Sequence, residues 1–143
     1  MHSTVRYMYD EATAFRTIDD SVTALTADTD SDAVTLDRLN NIRGADQGQL
    51  GAQTYAVVVV VTEATIVSES PDTPEEYSFN IQSDDDVVFD TFEANAVGTY
   101  VRLLDAQDMN RLDPDAVSIH LALDVTGTAP SFKYVAWLAP VNK

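Results

Sequence analysis

The chain has 143 residues, a formal net charge of −16 and no cysteine. Without thiols there are no disulfides, thiolate zinc sites or cysteine nucleophiles. The eight basic residues (Arg6, Arg16, Arg38, Arg43, Arg102, Arg111, Lys133, Lys143) stand singly, which disfavours both nucleic acid, whose phosphates need clustered Lys or Arg, and an anionic membrane surface.

This length can bury roughly 70% of the unfolded surface, so a single domain with an unstapled core is expected. Residues 1–12 mix Tyr7, Met8 and Tyr9 with charges and show no sustained period, so they read as an extended N-terminal arm; residues 13–143 form the domain. Short strands are predicted at 13–18 and 21–25, parted by Asp19 and Asp20. Residues 26–31 read as an acidic turn and 33–36 as a strand. Residues 37–51, with Asn40, Asn41, Gly44, Gly48 and Gly51, have the composition of a loop with room for a short helix at 37–43.

The run Tyr55-Ala56-Val57-Val58-Val59-Val60-Val61 predicts a strand over 54–67 that is covered on both faces and interrupted near Glu63. Pro71 and Pro74 stop any central strand through 68–76. Strands follow at 77–82, half exposed by its strict alternation, and at 87–91, across the run Asp84-Asp85-Asp86. A turn at 93–98 leads to a strand at 99–104, then to a polar link at 105–115 holding one helical turn. At 117–126 the alternation is cleanest. Val117, Ile119, Leu121, Leu123 and Val125 take one face; Ser118, His120, Ala122, Asp124 and Thr126 take the other. A last strand at 131–139 sets Phe132 and Tyr134 on one face and Trp137 on the other. About eight strands at this spacing define an all-β, single-domain antiparallel sandwich of jelly-roll type.

Candidate chemistry is sparse. Asp28, Asp30 and Asp32 have the D-x-D-x-D spacing of a calcium loop, but Ala33 stands where its glycine belongs and Leu39 where its bidentate glutamate belongs. Adjacent residues of an extended chain point to opposite faces, so Asp84, Asp85 and Asp86 read as a solvated turn. A Ser118/His120/Asp124 relay fails because same-face neighbours on a strand stand about 7 Å apart, against the ~3 Å of a triad's hydrogen bonds. The glycines at 44, 48 and 51 lack the Lys-Ser/Thr of a phosphate loop. The expectation is a non-enzyme with no catalytic, metal or cofactor residue. Residues 1–20 lack a signal peptide's apolar centre, and the longest apolar run is far below the ~20 residues of a spanning helix, so a soluble chain without an export address is expected.

The segment 53–64 (Gln-Thr-Tyr-Ala-Val-Val-Val-Val-Val-Thr-Glu-Ala) and the segment 79–89 (Phe-Asn-Ile-Gln-Ser-Asp-Asp-Asp-Val-Val-Phe) follow short Thr/Asp/Val-rich strands at 24–36 and a glycine loop. With the closing pair 119–125 and 134–138, this pattern resembles the jelly-roll cement, or decoration, proteins of short-tailed bacteriophage heads. The acidic stretch 104–114 departs from the basic approach expected there. The resemblance implies a homo-oligomer, dimer or trimer, on the outer surface of the virion, made in the host cytoplasm. It would bridge major capsid subunits and need neither nucleic acid nor membrane. Tyr7, Met8, Tyr9 and Phe15 are the candidate interface anchors, being apolar or aromatic as interfaces favour. The alternative is a virion-associated or secreted carbohydrate- or receptor-binding sandwich module, with Trp137 in an aromatic platform.

Overall fold

Two residue patterns build the two sheets. The uninterrupted valine run makes a strand that suits the middle of one sheet, and the alternating 117–126 segment makes the middle of the other. A computed structural model describes residues 7–35, 54–66 and 74–141. Its elements are β1 (Ala14–Arg16), β2 (Thr29–Asp30), β3 (Val34–Thr35), β4 (Thr54–Ala64), β5 (Glu76–Ser83), β6 (Val88–Glu93), β7 (Gly98–Asp105), α1 (Ala106–Leu112), β8 (Ser118–Thr126) and β9 (Phe132–Pro140). Sheet I has the order β1-β9-β4-β7; sheet II has the order β2-β8-β5-β6, with β3 also on β8. All pairings are antiparallel. The protein is an antiparallel β-sandwich.

One core lies between the sheets. Sheet I contributes Val57, Val59, Val61, Tyr134 and Leu138; sheet II contributes Phe79, Ile81, Leu121 and Leu123. The period-2 pattern explains both sets, since each is every second residue of its strand. Phe79 is the aromatic hub, with its ring centroid 4.9 Å from Tyr134, 5.4 Å from Phe92 and 5.7 Å from Phe132. Tyr77 joins strand ends: its hydroxyl donates to the Thr65 carbonyl (2.6 Å) and accepts from the Ser131 amide (3.0 Å).

The valine strand is covered on both faces as its sequence demands, because Tyr55 to Val59 and Val61 are all buried. Its interruption is a register shift against β9 between Val61 and Glu63, after which the Glu63 carboxylate accepts from the Ser131 hydroxyl (2.6 Å). The link at 105–115 holds α1, capped by Asp105, whose carboxylate accepts from the Gln107 amide.

Other elements differ from expectation. Residues 21–25 do not form a strand: Asp20–Val22 is a 3-10 turn, and Leu25 makes a single bridge to Phe132. The acidic turn at 26–31 contains β2, held because the Asp28 carboxylate accepts from the Val125 amide (2.7 Å) and the Ser31 hydroxyl from the Leu121 amide (2.8 Å). Val117, expected on the inward face of its strand, precedes β8 and is exposed. The loop at 37–51 with its short helix, Leu36, Val67, most of the 68–76 turn and residues 1–6 of the arm lie outside the described residues. No helix among the described residues is long and apolar enough to cross a membrane.

Candidate docking face

The sandwich has two outer faces of opposite character. At the centre of sheet I the outward residues form three rows across β7, β4 and β9, namely Leu103–Ala56–Ala139, Val101–Val58–Trp137 and Thr99–Val60–Val135, with Asp105 opposite Thr54 beyond them at one end and Lys133 opposite Glu63 at the other. None of the nine carries a charge, in a chain of net charge −16. On sheet II the outward rows are Asp30–Ala122–Asn80–Thr91 and Asp124–Ser78–Glu93, with His120 opposite Gln82. A shallow depression there is lined by Asp28, Asp30, Asp86 and Asp124 with Asn80 and Gln82. The centre of one face is neutral and apolar; the other face is acidic.

The arm lies on the neutral face. The Tyr9 ring meets Trp137 edge-on, with centroids 5.5 Å apart and planes at 82°, and the Trp137 indole N–H donates to the Tyr7 carbonyl (3.1 Å). Asp10 caps the 3-10 turn Glu11–Thr13, and the Thr13 hydroxyl donates to the Leu138 carbonyl (2.8 Å), which anchors the arm to β9. Tyr7 and Tyr9 are therefore half buried and Met8 is 76% exposed. Phe15 sits in the core at 1% exposure, because β1 sends it inward while Ala14 lies opposite Trp137. Tyr7, Met8 and Tyr9 are the surface members of the expected anchor set.

The exposed apolar side chains of sheet I lie along β7, at Val101 and Leu103, with Leu112 of α1 close by. Sequence reasoning missed this strand as a surface feature. Its alternation was visible, but nothing local says that β7 ends a sheet. Its one inward charge, Arg102, is held by Asp90 of β6 (2.8 Å) and lies over the Phe92 ring. That guanidinium holds the Asp90 carboxyl below the ordinary aspartate range.

The acidic groups are occupied with turn chemistry. Asp84, Asp85 and Asp113 bring carboxylate oxygens within 4.8 Å of one another, and these three could hold a cation. Two of the three, Asp84 and Asp113, already have donors. Asp84 accepts from the Val117 and Ser118 amides (2.8 and 3.3 Å), and buried Asp113 accepts from the Ser83 hydroxyl (2.6 Å). Ser83 in turn accepts from the Asp85 and Val87 amides. A hard cation wants six to eight oxygens; this network instead clasps the β5–β6 turn to the start of β8. The contact of Asp113 with Asp85 spans distant sequence, so the aspartate run alone gives no sign of it. The relay residues Ser118, His120 and Asp124 share the outer face of β8, and the His120 Nε2 has no hydrogen-bond partner among the described residues.

The clasp makes a signed prediction. The backbone N–H of Val117 holds Asp84 below the ordinary aspartate range, whereas the negative charge of Asp113 pushes Asp85 above it. A carboxyl raised on folding opposes the folded state when ionised, and that opposition fades as pH falls through its raised pKa. Asp85→Asn is therefore expected to raise the urea midpoint slightly at pH 7, with the gain shrinking toward pH 4. A gain that grows on acidification would contradict this arrangement.

No family model matches the chain, and no curated protein matches it either.

Proposed function

We propose that this chain is a capsid cement protein, bound to the outer surface of an icosahedral phage head and bridging major capsid subunits. The observation that carries the reading is the two-sided character of the sandwich. A shell-coating protein needs one face that can lose water cheaply against protein and another that stays hydrated. Uncharged side chains desolvate at little cost, whereas ionised carboxylates do so only at high cost. Sheet I offers the first kind of surface, with the Tyr7–Tyr9 arm laid across it, and sheet II the second.

The strand order supports the jelly-roll form of the sandwich. If β2 and β3 are two pieces of one strand along β8, the pairs β1–β9, β2/β3–β8, β4–β7 and β5–β6 nest from the ends of the chain inward. That nesting is what folding over a long antiparallel hairpin produces. The segment resemblance at 53–64 and 79–89 points to the same family of head proteins.

The reading is tested through the arm. Deleting residues 1–12 removes Tyr9 from Trp137 and is expected to reduce occupancy on purified heads at least tenfold. Undiminished occupancy would remove the arm from the contact. The carbohydrate-binding alternative rests on Trp137, whose ring is half buried and capped by Tyr9, leaving little open platform. Glycan binding abolished by Trp137→Ala would favour that alternative.

A further inference from the structure

We propose that β7 and the notch where it meets α1 take up an extended segment of a partner protein, one that presents Lys or Arg followed by alternating apolar residues. Val101 and Leu103 point outward from sheet I, and Leu103 and Leu112 of α1 are 58% and 48% exposed. At the strand's end Leu103, Met109 and Leu112 line a notch of about 90 Å³, together with Asp90, Asp105 and Asp108. Among the described residues β7 pairs with β4 alone, in unbroken register over eight residues. Its other edge therefore keeps the N–H and C=O groups that an added strand uses. The remaining edges offer less: β1, β2 and β3 have two or three residues each, and β6 shifts register against β5.

Charge selects the occupant. Asp90 is already neutralised by Arg102 at 2.8 Å. Asp105 has no ion-pair partner among the described residues, and one of its oxygens caps α1. Asp108 meets Arg111 at 3.4 Å, but the two side chains are 63% and 75% exposed, and such a pair contributes little. Two carboxylates thus stand beside exposed apolar side chains without effective neutralisation. A purely apolar occupant would desolvate them unpaired, and a second copy of net charge −16 would add repulsion. A cation set next to apolar side chains matches both parts of the surface. Sheet II would attract the cation as well, but its depression has only Ala122 and Leu123 as apolar lining, and Leu123 is 2% exposed.

The strand period then sets the order of residues in the partner. Asp105, Leu103 and Val101 lie two apart on the outward face of β7. A strand added antiparallel, as all the pairings of the sandwich are, meets Asp105 first and Val101 last. Its outward positions therefore read basic-x-apolar-x-apolar from its N-terminal end. That this segment belongs to a major capsid subunit rests on the cement reading; its chemistry rests on β7 and α1.

The probe is a capped synthetic peptide, Lys-Thr-Val-Thr-Val-Thr, titrated calorimetrically into the full chain in the absence of heads. Saturable binding is expected, about tenfold or more weaker for Glu-Thr-Val-Thr-Val-Thr. Salt should weaken it without abolishing it, because only the charged part is screened. Asp105→Asn with Asp108→Asn is expected to weaken it by about tenfold; asparagine also caps helices, so α1 is kept. Asp30→Asn with Asp124→Asn removes the same charge from sheet II and should leave the affinity within about twofold. Leu103→Ser should weaken binding, and Val117→Ser, similarly exposed elsewhere, should not. No binding at about 1 mM, equal affinity for the two peptides, or equal losses from the two aspartate pairs overturns the proposal. So does a chain that self-associates through this surface, seen as a dimer that sediments as a monomer after Leu103→Ser. Peptide binding by a chain that ignores phage heads would sink the cement reading alone. Heads coated equally by the chain and by its Asp105→Asn/Asp108→Asn variant would sink this proposal alone.

Discussion

Phe79→Ala is expected to lower the unfolding free energy by about 3–5 kcal/mol, a large share of the ~5–15 kcal/mol that holds a domain together. Phe79 is fully buried in the middle of β5, flanked by Leu123 of β8 and Phe92 of β6. Its ring also touches Phe132 and Tyr134 of the facing sheet, so truncation opens a hole where both layers meet. The aromatic contacts each add about 0.5–1.5 kcal/mol beyond burial. They share one ring and are lost together, so the total stays near the large-to-small range and is not their sum. Urea unfolding measures it, with Phe79→Leu costing clearly less because it fills most of the hole. A loss under about 1 kcal/mol for the alanine variant would mean that the sheets are not fastened at this hub.

Gly127→Ala is expected to cost about 3 kcal/mol or more, from backbone strain and steric conflict together. Gly127 follows β8 with φ near +108°, where an L side chain is disfavoured. An added Cβ would also sit 2.6 Å from the Glu75 Cα and 2.9 Å from its amide nitrogen. Those are backbone atoms and cannot swing aside. Glu75 is itself buried, and its carboxylate accepts from the Ala129 amide, so its displacement would disturb both the turn and the entry to β5. Gly98 gives the control. Its φ of +155° also disfavours alanine, but nothing lies within 4 Å of the added carbon. Gly98→Ala should therefore cost only about 1 kcal/mol, and the difference in urea midpoint between the two variants isolates the clash. Equal losses would show that the approach of Glu75 is not rigid.

What the sequence revealed was what its periodicity encodes. Ile119, Leu121 and Leu123 could be assigned to the core because alternation is local, and Tyr55–Val61 could be read as doubly covered because no polar residue interrupts it. Features made by partners far along the chain were not legible. β2 carries no apolar pattern and exists because Thr29 and Asp30 pair with Leu123 and Ala122. Phe15 could be seen as an apolar residue near an arm, but which way β1 turns it depends on pairing with β9. The neutral face needs β7, β4 and β9 side by side, and the sequence of each strand alone does not say that the three are neighbours. For the same reason the clasp of Asp85 with Asp113 had no local signal.

The most direct test of the proposed cement function is co-sedimentation of the purified chain with phage heads assembled without it. Saturable binding at a fixed number of copies per head, with the heads then surviving higher temperature, is the result expected of a ligand that favours the assembled shell. Heads that sediment bare across the whole range of protein concentration would contradict it.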